Sequence, residues 1–163
     1  LDAVRRVRRF EEVRVASRSF ERAQTLAGEA GATAVGSFEE ALRGADVVCC
    51  CTHASEPVLR REWLARGVHV CSVGASQEGP ELDEETVRAG LLCVESRVAF
   101  EPPPAGAFEL QGLDPAAAVE LGEVLSGTRE GRADEEQITV YKSMGHAVED
   151  AAAAALVLER AQA

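Results

Sequence analysis

The residues Ser17, Arg18 and Ser19 form the group in this sequence that is best suited to bind a phosphate. They follow the short apolar run 13–16, and a stretch with helical spacing begins at Ser19. A guanidinium group presents a planar set of donors that matches a phosphate dianion, and hydroxyl groups at a helix N-terminus add donors where the helix dipole favours an anion. The alternative is that Arg18 is a solvated surface charge and Ser19 a simple helix cap. These residues alone leave both interpretations open.

Two later apolar runs also end in residues that suit a ligand site. The run 46–52 ends in Thr52 and is followed by His53, and the run 68–73 is followed by the small residues 74–76. Thr52 has a hydroxyl that can donate. His53 has the chemistry of a general base, but a single histidine after a strand is more often a loop residue. The small residues 74–76 would let a nicotinamide ring approach the backbone closely.

The elements that must position these residues are short apolar runs that alternate with amphipathic stretches, a pattern typical of βαβ units. Strands are predicted at 13–16, 33–35, 46–52, 68–73 and 91–95, with an isolated strand at 138–142. Helices are predicted at 19–27, with Gly28 after the helix, and at 82–89, 116–125 and 147–161. A further short helix is predicted after Ser37, which would cap it, with the side chain of Glu40 reaching back to the cap. The pattern predicts an α/β fold with a Rossmann-type, doubly wound and mostly parallel sheet. In such a sheet a nucleotide binds beyond the carboxyl ends of the strands.

The residue type after the first strand also indicates which dinucleotide is bound. Sheets that bind NAD usually carry an acidic residue there, which accepts a hydrogen bond from the ribose 2′-hydroxyl. In this sequence a hydroxyl and the guanidinium of Arg18 stand in that region instead. The sequence therefore favours NADP(H) over NAD(H).

Composition excludes several other classes of function. The formal net charge is −11 and the basic residues are scattered, so nucleic acid is a poor candidate partner. No run of 18 apolar residues and no signal-peptide pattern occurs, so we expect a cytoplasmic protein without a membrane segment. The five cysteines have no metal-ligand spacing, and we expect all of them to be small buried apolar residues and no metal site. The chain begins with Leu1, and 2–10 suits the end of a helix, so we expect a sequence that is cut at its N-terminus.

Seven motifs resemble those of the ornithine cyclodeaminase and mu-crystallin family, and the match extends over nearly the whole chain. The Ser-Arg-Ser region alone would fit shikimate dehydrogenases or glutamyl-tRNA reductases equally well; the two most C-terminal motifs are the specific ones. The motifs are Val-Arg-Val-Ala-Ser-Arg-Ser at 13–19, Gly-Ala-Asp-Val-Val at 44–48, Glu-Pro-Val-Leu at 56–59, Val-Gly-Ala-Ser at 73–76, Glu-Leu-Asp at 81–83, Glu-Leu-Gly-Glu-Val at 120–124 and Lys-Ser-Met-Gly-His-Ala-Val-Glu-Asp at 142–150.

The resemblance implies a site for NADPH and assigns residues to its parts. Thr52 and His53 would lie at the middle of the cofactor, Val73 at the nicotinamide side, and Ser143 would return to the cofactor from the late motif. The adenosine 2′-phosphate would be surrounded by Ser17, Arg18, Ser19 and Arg22. No catalytic residue is assigned.

The departures from the family pattern limit what this chain is expected to do. The first strand and its Gly-x-Gly loop are missing, so 1–145 would be a partial NADP-binding Rossmann domain. The helix within 146–163, with a stripe of small residues that ends at Leu158, would return to a missing domain for substrate binding and dimerisation. Its apolar side, with Val148, Leu156 and Leu158, should then lie partly exposed; the alternative is that the helix simply packs on this sheet. We therefore expect a homodimer at full length and no turnover by this chain alone.

The activity implied for the full-length relative is NADPH-dependent reduction of a cyclic ketimine carboxylate, C=N to CH–NH. One alternative is an NADPH-regulated thyroid-hormone-binding protein or lens crystallin without turnover. Another is a relative of ornithine cyclodeaminase or alanine dehydrogenase. Cyclodeaminases carry an Asp that acts on the substrate amine where this chain has Ser76, so the resemblance disfavours cyclisation of ornithine.

Overall fold

The computed structural model describes residues 1–74 and 78–162. It divides into two compact units, Leu1–Ala45 and Asp46–Ala163. Each unit contains parallel strands and helices, as the alternating pattern predicts. In the described part of the chain, no helix is both long enough and apolar enough to cross a bilayer.

The first unit contains two short parallel strands and three helices. Strand β1 pairs with β2 in the register Arg14 with Thr33 and Val15 with Ala34. The elements are α1 (Asp2–Val7), β1 (Arg14–Val15), α2 (Phe20–Ala30), β2 (Thr33–Ala34) and α3 (Phe38–Leu42).

The helix α2 is longer than the sequence predicts. Gly28 was expected to stop it, but the helix continues to Ala30 and ends at Gly31, which has a left-handed φ of 58°. The amide of Ala32 donates to the carbonyl of Ala27, so the chain turns off the helix in a Schellman arrangement. Only the residue at the turn needs a positive φ, and Gly28 is tolerated as an exposed helical position.

The capping of α3 is confirmed in part. Ser37 Oγ accepts a hydrogen bond from the amide of Glu40 at 3.1 Å, as a helix cap does. The Glu40 carboxylate reaches back one residue further than expected and accepts from the amide of Gly36 at 3.0 Å. Gly44 follows the helix with a φ of 71°.

The second unit is built on a five-stranded, fully parallel sheet with the order β3-β4-β7-β5-β6. Its strands are β3 (Val47–Cys50), β4 (His69–Ser72), β5 (Leu91–Val94), β6 (Val119–Glu120) and β7 (Thr139–Lys142). Its α-helices are α4 (Glu84–Arg88), α5 (Leu121–Leu125) and α6 (Ala147–Gln162). The prediction of a mostly parallel α/β sheet is confirmed.

Strand β7 was predicted as an isolated strand, and this is wrong. It lies at the centre of the sheet, where it pairs with β4 on one side and with β5 on the other. Val140 and Lys142 are both buried on the same face of the strand. A long sequence separation hides this pairing from any local pattern.

The segment 116–125 was predicted as one helix, and this too is wrong. It begins with a 3₁₀ turn at Pro115–Ala117, continues as the edge strand β6, and becomes helical only in α5. Val119 is buried and pairs with Cys93, which fixes this part of the chain as strand. Glu120 then caps α5 in a reciprocal arrangement with Glu123.

The two faces of the sheet differ in exposure. Side chains on one face, such as Val48, Val70 and Val94, are buried, whereas those on the other face are half-buried or exposed. The expectation that all five cysteines are buried is therefore wrong. Only Cys50 points into the core; Cys71 and Cys93 are half-buried and Cys49 and Cys51 are exposed. Burial raises the pKa of Cys71 to about 11, so this thiol stays protonated near neutral pH.

Candidate nucleotide-binding site

Four of the predicted site residues lie together at the N-terminus of α2 in the first unit. Ser19 is the N-cap, and its Oγ accepts a hydrogen bond from the amide of Arg22 at 3.4 Å. The amide of Ser19 in turn donates to Ser17 Oγ at 3.4 Å. The side chains of Ser17, Arg18 and Arg22 are exposed, so their donors face solvent. Because the Ser19 hydroxyl acts here as an acceptor, its own proton remains available to a phosphate oxygen.

The other four predicted residues lie in the second unit, at the carboxyl ends of parallel strands. Thr52 and His53 follow β3, Val73 follows β4, and Ser143 follows β7. Parallel strands end at the same edge of a sheet, which is the edge where nucleotides bind in this kind of fold. His53 is exposed. Val73 is 46% exposed although it is apolar, so it offers an uncovered surface at this edge.

A buried carboxylate that the sequence analysis did not single out joins the ends of β3 and β4. Glu81 is 3% exposed. Its Oε1 accepts from the amide and from the hydroxyl of Thr52, each at 2.6 Å. Its Oε2 accepts from the hydroxyl of Ser72 at 2.6 Å and from the amide of Gly74 at 2.9 Å. Both oxygens are thus saturated by donors from two strand ends.

The Glu-Leu-Asp motif at 81–83 places this carboxylate. The carbonyl of Glu81 accepts from the amide of Val58 at 3.0 Å, which fixes its backbone. Leu82 is fully buried in the core. Asp83 caps α4 by accepting from the amide of Thr86 at 3.0 Å, and its second oxygen accepts from the amide of Arg61 at 3.0 Å.

Lys142 lies at the end of the central strand and extends the network. Its Nζ donates to Ser72 Oγ at 3.0 Å and also to the carbonyl of Gly74. It lies 3.0 Å from Glu109 Oε1, and the two side chains are 1% and 4% exposed. One buried ammonium group thus faces two buried carboxylates, Glu109 directly and Glu81 through Ser72.

The structure gives a steric reason for glycine at position 74. A Cβ at this position would lie 2.3 Å from Glu81 Oε1 and 2.4 Å from the carbonyl oxygen of Thr52. The residue is small because these groups approach it closely, and it is itself buried. Close approach of a nicotinamide ring to the backbone stays a prediction for Gly74, while Ala75 and Ser76 lie outside the described residues.

Ser143 binds a carboxylate of its own unit. Its hydroxyl donates to Glu95 at the end of β5, and the same carboxylate accepts from the amides of Met144 at 3.1 Å and Gly145 at 2.9 Å. Burial alone raises the pKa of Glu95, but the hydrogen bonds from Ser143 and from backbone amides outweigh it and hold the pKa below its ordinary value. The ends of β7 and β5 are therefore joined by an ionised carboxylate.

One of the missed residues carried a signal in the sequence. Val140 and Lys142 share one face of β7 because side chains alternate along a strand, and the buried Ile138, just before the strand, continues the same alternation. A lysine in a core position of an apolar strand indicates a buried partner, since lysine is almost never fully buried unless it is paired. Glu81 and Glu109 lie outside strands and carry no comparable pattern.

Within residues 1–74 and 78–162, no three His, Cys, Asp or Glu side chains form a group that could hold a metal ion.

Comparison with known proteins shows similarity to reductases. The chain is 42% identical over 153 residues to ketimine reductase mu-crystallin of Mus musculus, covering 92% of this chain and 47% of that protein. It is 38% identical over 129 residues to a delta(1)-pyrroline-2-carboxylate reductase of Bacillus cereus, covering 75% of this chain and 39% of that protein. The chain therefore spans about half the length, or less, of these curated relatives.

The fold is likewise similar to solved structures. Delta(1)-pyrroline-2-carboxylate reductase of Thermococcus litoralis, in complex with NADH and L-proline, matches with a TM-score of 0.85 at 31% identity over 98% of this chain and 53% of that one. An archaeal alanine dehydrogenase dimer with bound NAD matches with a TM-score of 0.81 at 27% identity over 99% of this chain and 52% of that one.

A family model extends the similarity from single relatives to the whole sequence. It is the model of the ornithine cyclodeaminase/mu-crystallin family, and it matches residues 1–163. Every motif on which the resemblance rests lies within that range. The chain belongs to the ornithine cyclodeaminase/mu-crystallin family.

Proposed function

We propose that this chain supplies the cofactor site of a protein that reduces cyclic ketimine carboxylates, C=N to CH–NH, with NADPH. The observation that carries the proposal is the similarity, over 92% and 75% of the chain, to a ketimine reductase and to a pyrroline-carboxylate reductase. Both names describe enzymes that act on a C=N bond. Because the chain spans about half of each relative, we propose that it acts as part of a longer protein.

The donor set at the N-terminus of α2 fits the 2′-phosphate of NADPH. Arg18 and Arg22 are exposed cations, and the hydroxyls of Ser17 and Ser19 lie beside them. A guanidinium matches a phosphate better than it matches a neutral ribose hydroxyl. The solved relatives named above contain NADH or NAD, so the choice of NADPH rests on these residues of the chain.

The carboxyl ends of the strands in the second unit fit the nicotinamide half. Val73 presents an exposed apolar side chain against which a flat ring can pack, and Thr52 lies at the end of the neighbouring strand. NADPH, when bound, supplies the hydride. The residues of this chain bind the cofactor and orient its ring.

A second candidate function is supported by a separate match. The chain is 32% identical over 170 residues, 99% of its length, to alanine dehydrogenase of Archaeoglobus fulgidus. That activity also passes through a C=N bond next to a carboxylate, but the imine is open-chain. The two candidates differ in the substrate and share the cofactor chemistry.

The test is a substrate comparison with the whole protein, in which loss of NADPH absorbance measures imine reduction, and release of ammonia in the presence of NADP⁺ measures cyclisation, which consumes no NADPH overall. Pyrroline-2-carboxylate is the cyclic ketimine, pyruvate with ammonia supplies the open-chain imine, and ornithine tests cyclisation. We expect the largest kcat/KM with the cyclic ketimine and no turnover by the 163-residue chain alone. Preference for pyruvate with ammonia would favour the second candidate. Thyroid-hormone binding without turnover of any of these substrates would favour a carrier.

A further inference from the structure

Glu81 is built into the protein as an acceptor for two strand ends at once. Each of its carboxylate oxygens accepts one backbone amide and one hydroxyl: Oε1 from Thr52, after β3, and Oε2 from Gly74 and Ser72, at the end of β4. Its side chain is buried, and these four donors satisfy both oxygens without solvent. We propose that Glu81 is the positioning residue that holds the ends of β3 and β4 for the nicotinamide half of the cofactor, an inference that rests on the proposed function.

Only a carboxylate can fill this position without losing a hydrogen bond from a backbone amide. A glutamine would offer one oxygen and one NH₂ group. The hydroxyls of Thr52 and Ser72 can rotate and accept from that NH₂ group, but an amide N–H cannot reverse its direction. Since each oxygen of Glu81 accepts from a backbone amide, the NH₂ group would oppose either the Thr52 amide or the Gly74 amide in both orientations. One strand end would be released.

The peptide groups beside Gly74 are held from two sides. The amide of Gly74 donates to Glu81, and its carbonyl accepts from Lys142 Nζ. Ser72 links the two charged groups, because its hydroxyl donates to Glu81 and accepts from Lys142. The backbone after β4 is therefore fixed by a buried carboxylate and a buried ammonium group.

This arrangement determines where Val73 points. Val73 stands between Ser72 and Gly74, and its own side chain is exposed, so core packing does not fix it. Its amide donates to the carbonyl of Cys50 at 3.0 Å, which ties it to β3. Glu81 thus acts on the candidate ring-binding surface through the two neighbours of Val73, without reaching the cofactor itself.

The experiment is a calorimetric titration of the whole protein with two ligands. NADPH carries both halves of the cofactor, whereas 2′,5′-ADP carries the 2′-phosphate but no nicotinamide. We expect Glu81→Gln to weaken NADPH binding by about tenfold, the equivalent of one hydrogen bond to a charged group, and to leave 2′,5′-ADP binding unchanged. Hydrogen exchange should become faster at the amide of Thr52 or of Gly74. Glu85→Gln, on the exposed side of α4, is the matched control.

Ser72→Ala removes the link between Glu81 and Lys142 with a smaller change, and it decides the question if the glutamine variant does not fold. We expect it to weaken NADPH binding selectively as well. An equal loss for both ligands, or unchanged NADPH binding, would overturn the positioning role and leave the proposed function standing. If the unmutated whole protein binds neither ligand, the proposed function fails as well.

Discussion

Lys142 Nζ lies 3.0 Å from Glu109 Oε1 inside the protein, where the two side chains are 1% and 4% exposed. Lys142 ends the central strand β7, and Glu109 belongs to the 3₁₀ turn Phe108–Leu110. The ion pair therefore attaches this 3₁₀ turn to the middle of the sheet. Removing water from both charges is costly, and their mutual attraction together with the Ser72 and Gly74 hydrogen bonds offsets that cost.

Replacing Lys142 by Met should destabilise the chain strongly, because it leaves Glu109 and Glu81 buried without their cation. We expect the free energy of unfolding in urea to fall by about 3–5 kcal/mol, the usual cost of breaking a buried pair. The double variant Lys142→Met/Glu109→Leu should recover part of that loss, since it removes one uncompensated charge. A loss below about 1 kcal/mol in the single variant, the range of an exposed pair, would contradict the buried-pair description.

The Glu95 carboxylate predicts a pH dependence of stability. Its folded pKa lies below the ordinary value of 4.5, because the hydrogen bonds from Ser143 and backbone amides outweigh the effect of burial. A depressed folded pKa contributes stability above the unfolded pKa, and this contribution is lost as pH falls through the folded value. The stability difference between the unmutated chain and Glu95→Gln should therefore be largest at neutral pH and shrink below about pH 4.5.

Urea unfolding of both proteins at a series of pH values measures this difference. Ser143→Ala should lower stability at neutral pH by about 1.5–3 kcal/mol, the range of a hydrogen bond to a charged group. Glu85→Gln is the control, since Glu85 is exposed on α4 and should show a difference near zero at every pH. A Glu95→Gln difference that does not change between neutral and acid pH would show that Glu95 is not ionised in the way its partners imply.

The helix α6 predicts an interface with a second copy of the whole protein. None of its described side chains is buried, and Val148, Leu156 and Leu158 are 63%, 48% and 59% exposed, as expected from the sequence. We propose that a partner subunit covers these exposed apolar side chains of α6. Leu158→Lys should then shift the whole protein from dimer to monomer in sedimentation, while Glu159→Lys, one position further along the helix, should not. A monomeric unmutated protein, or a dimer that tolerates Leu158→Lys, would contradict this.

Local sequence patterns were sufficient for most elements of the fold. Apolar runs mark β3, β4 and β5, and the Ser37 signal marks the start of α3, because these depend on side chains that are near in sequence. The central place of β7 was missed because it is decided by pairing with β4 and β5, whose residues lie tens of positions away. The edge strand β6 was missed because its two residues are followed directly by a helix.

The candidate site was predictable only in part, for a related reason. The group at the start of α2 is contiguous in sequence, so a short motif contains it. The Glu81 network joins Thr52, Ser72, Lys142 and Glu109 from separate segments, and only the fold brings them together. Ser143 was predicted to contact the cofactor; the structure gives it Glu95 as its partner, and a cofactor contact stays a prediction.

The central claim is that Arg18 makes the whole protein that contains this chain prefer NADPH over NADH, and comparing the two affinities by calorimetric titration tests it directly. The unmutated whole protein should bind NADPH more tightly than NADH, and Arg18→Ala should remove about 1.5–3 kcal/mol of that preference, the range of a hydrogen bond to a charged group. Arg8→Ala, which removes another exposed cation of the first unit, should leave the preference unchanged. Equal affinity of the unmutated whole protein for NADPH and NADH would contradict the account.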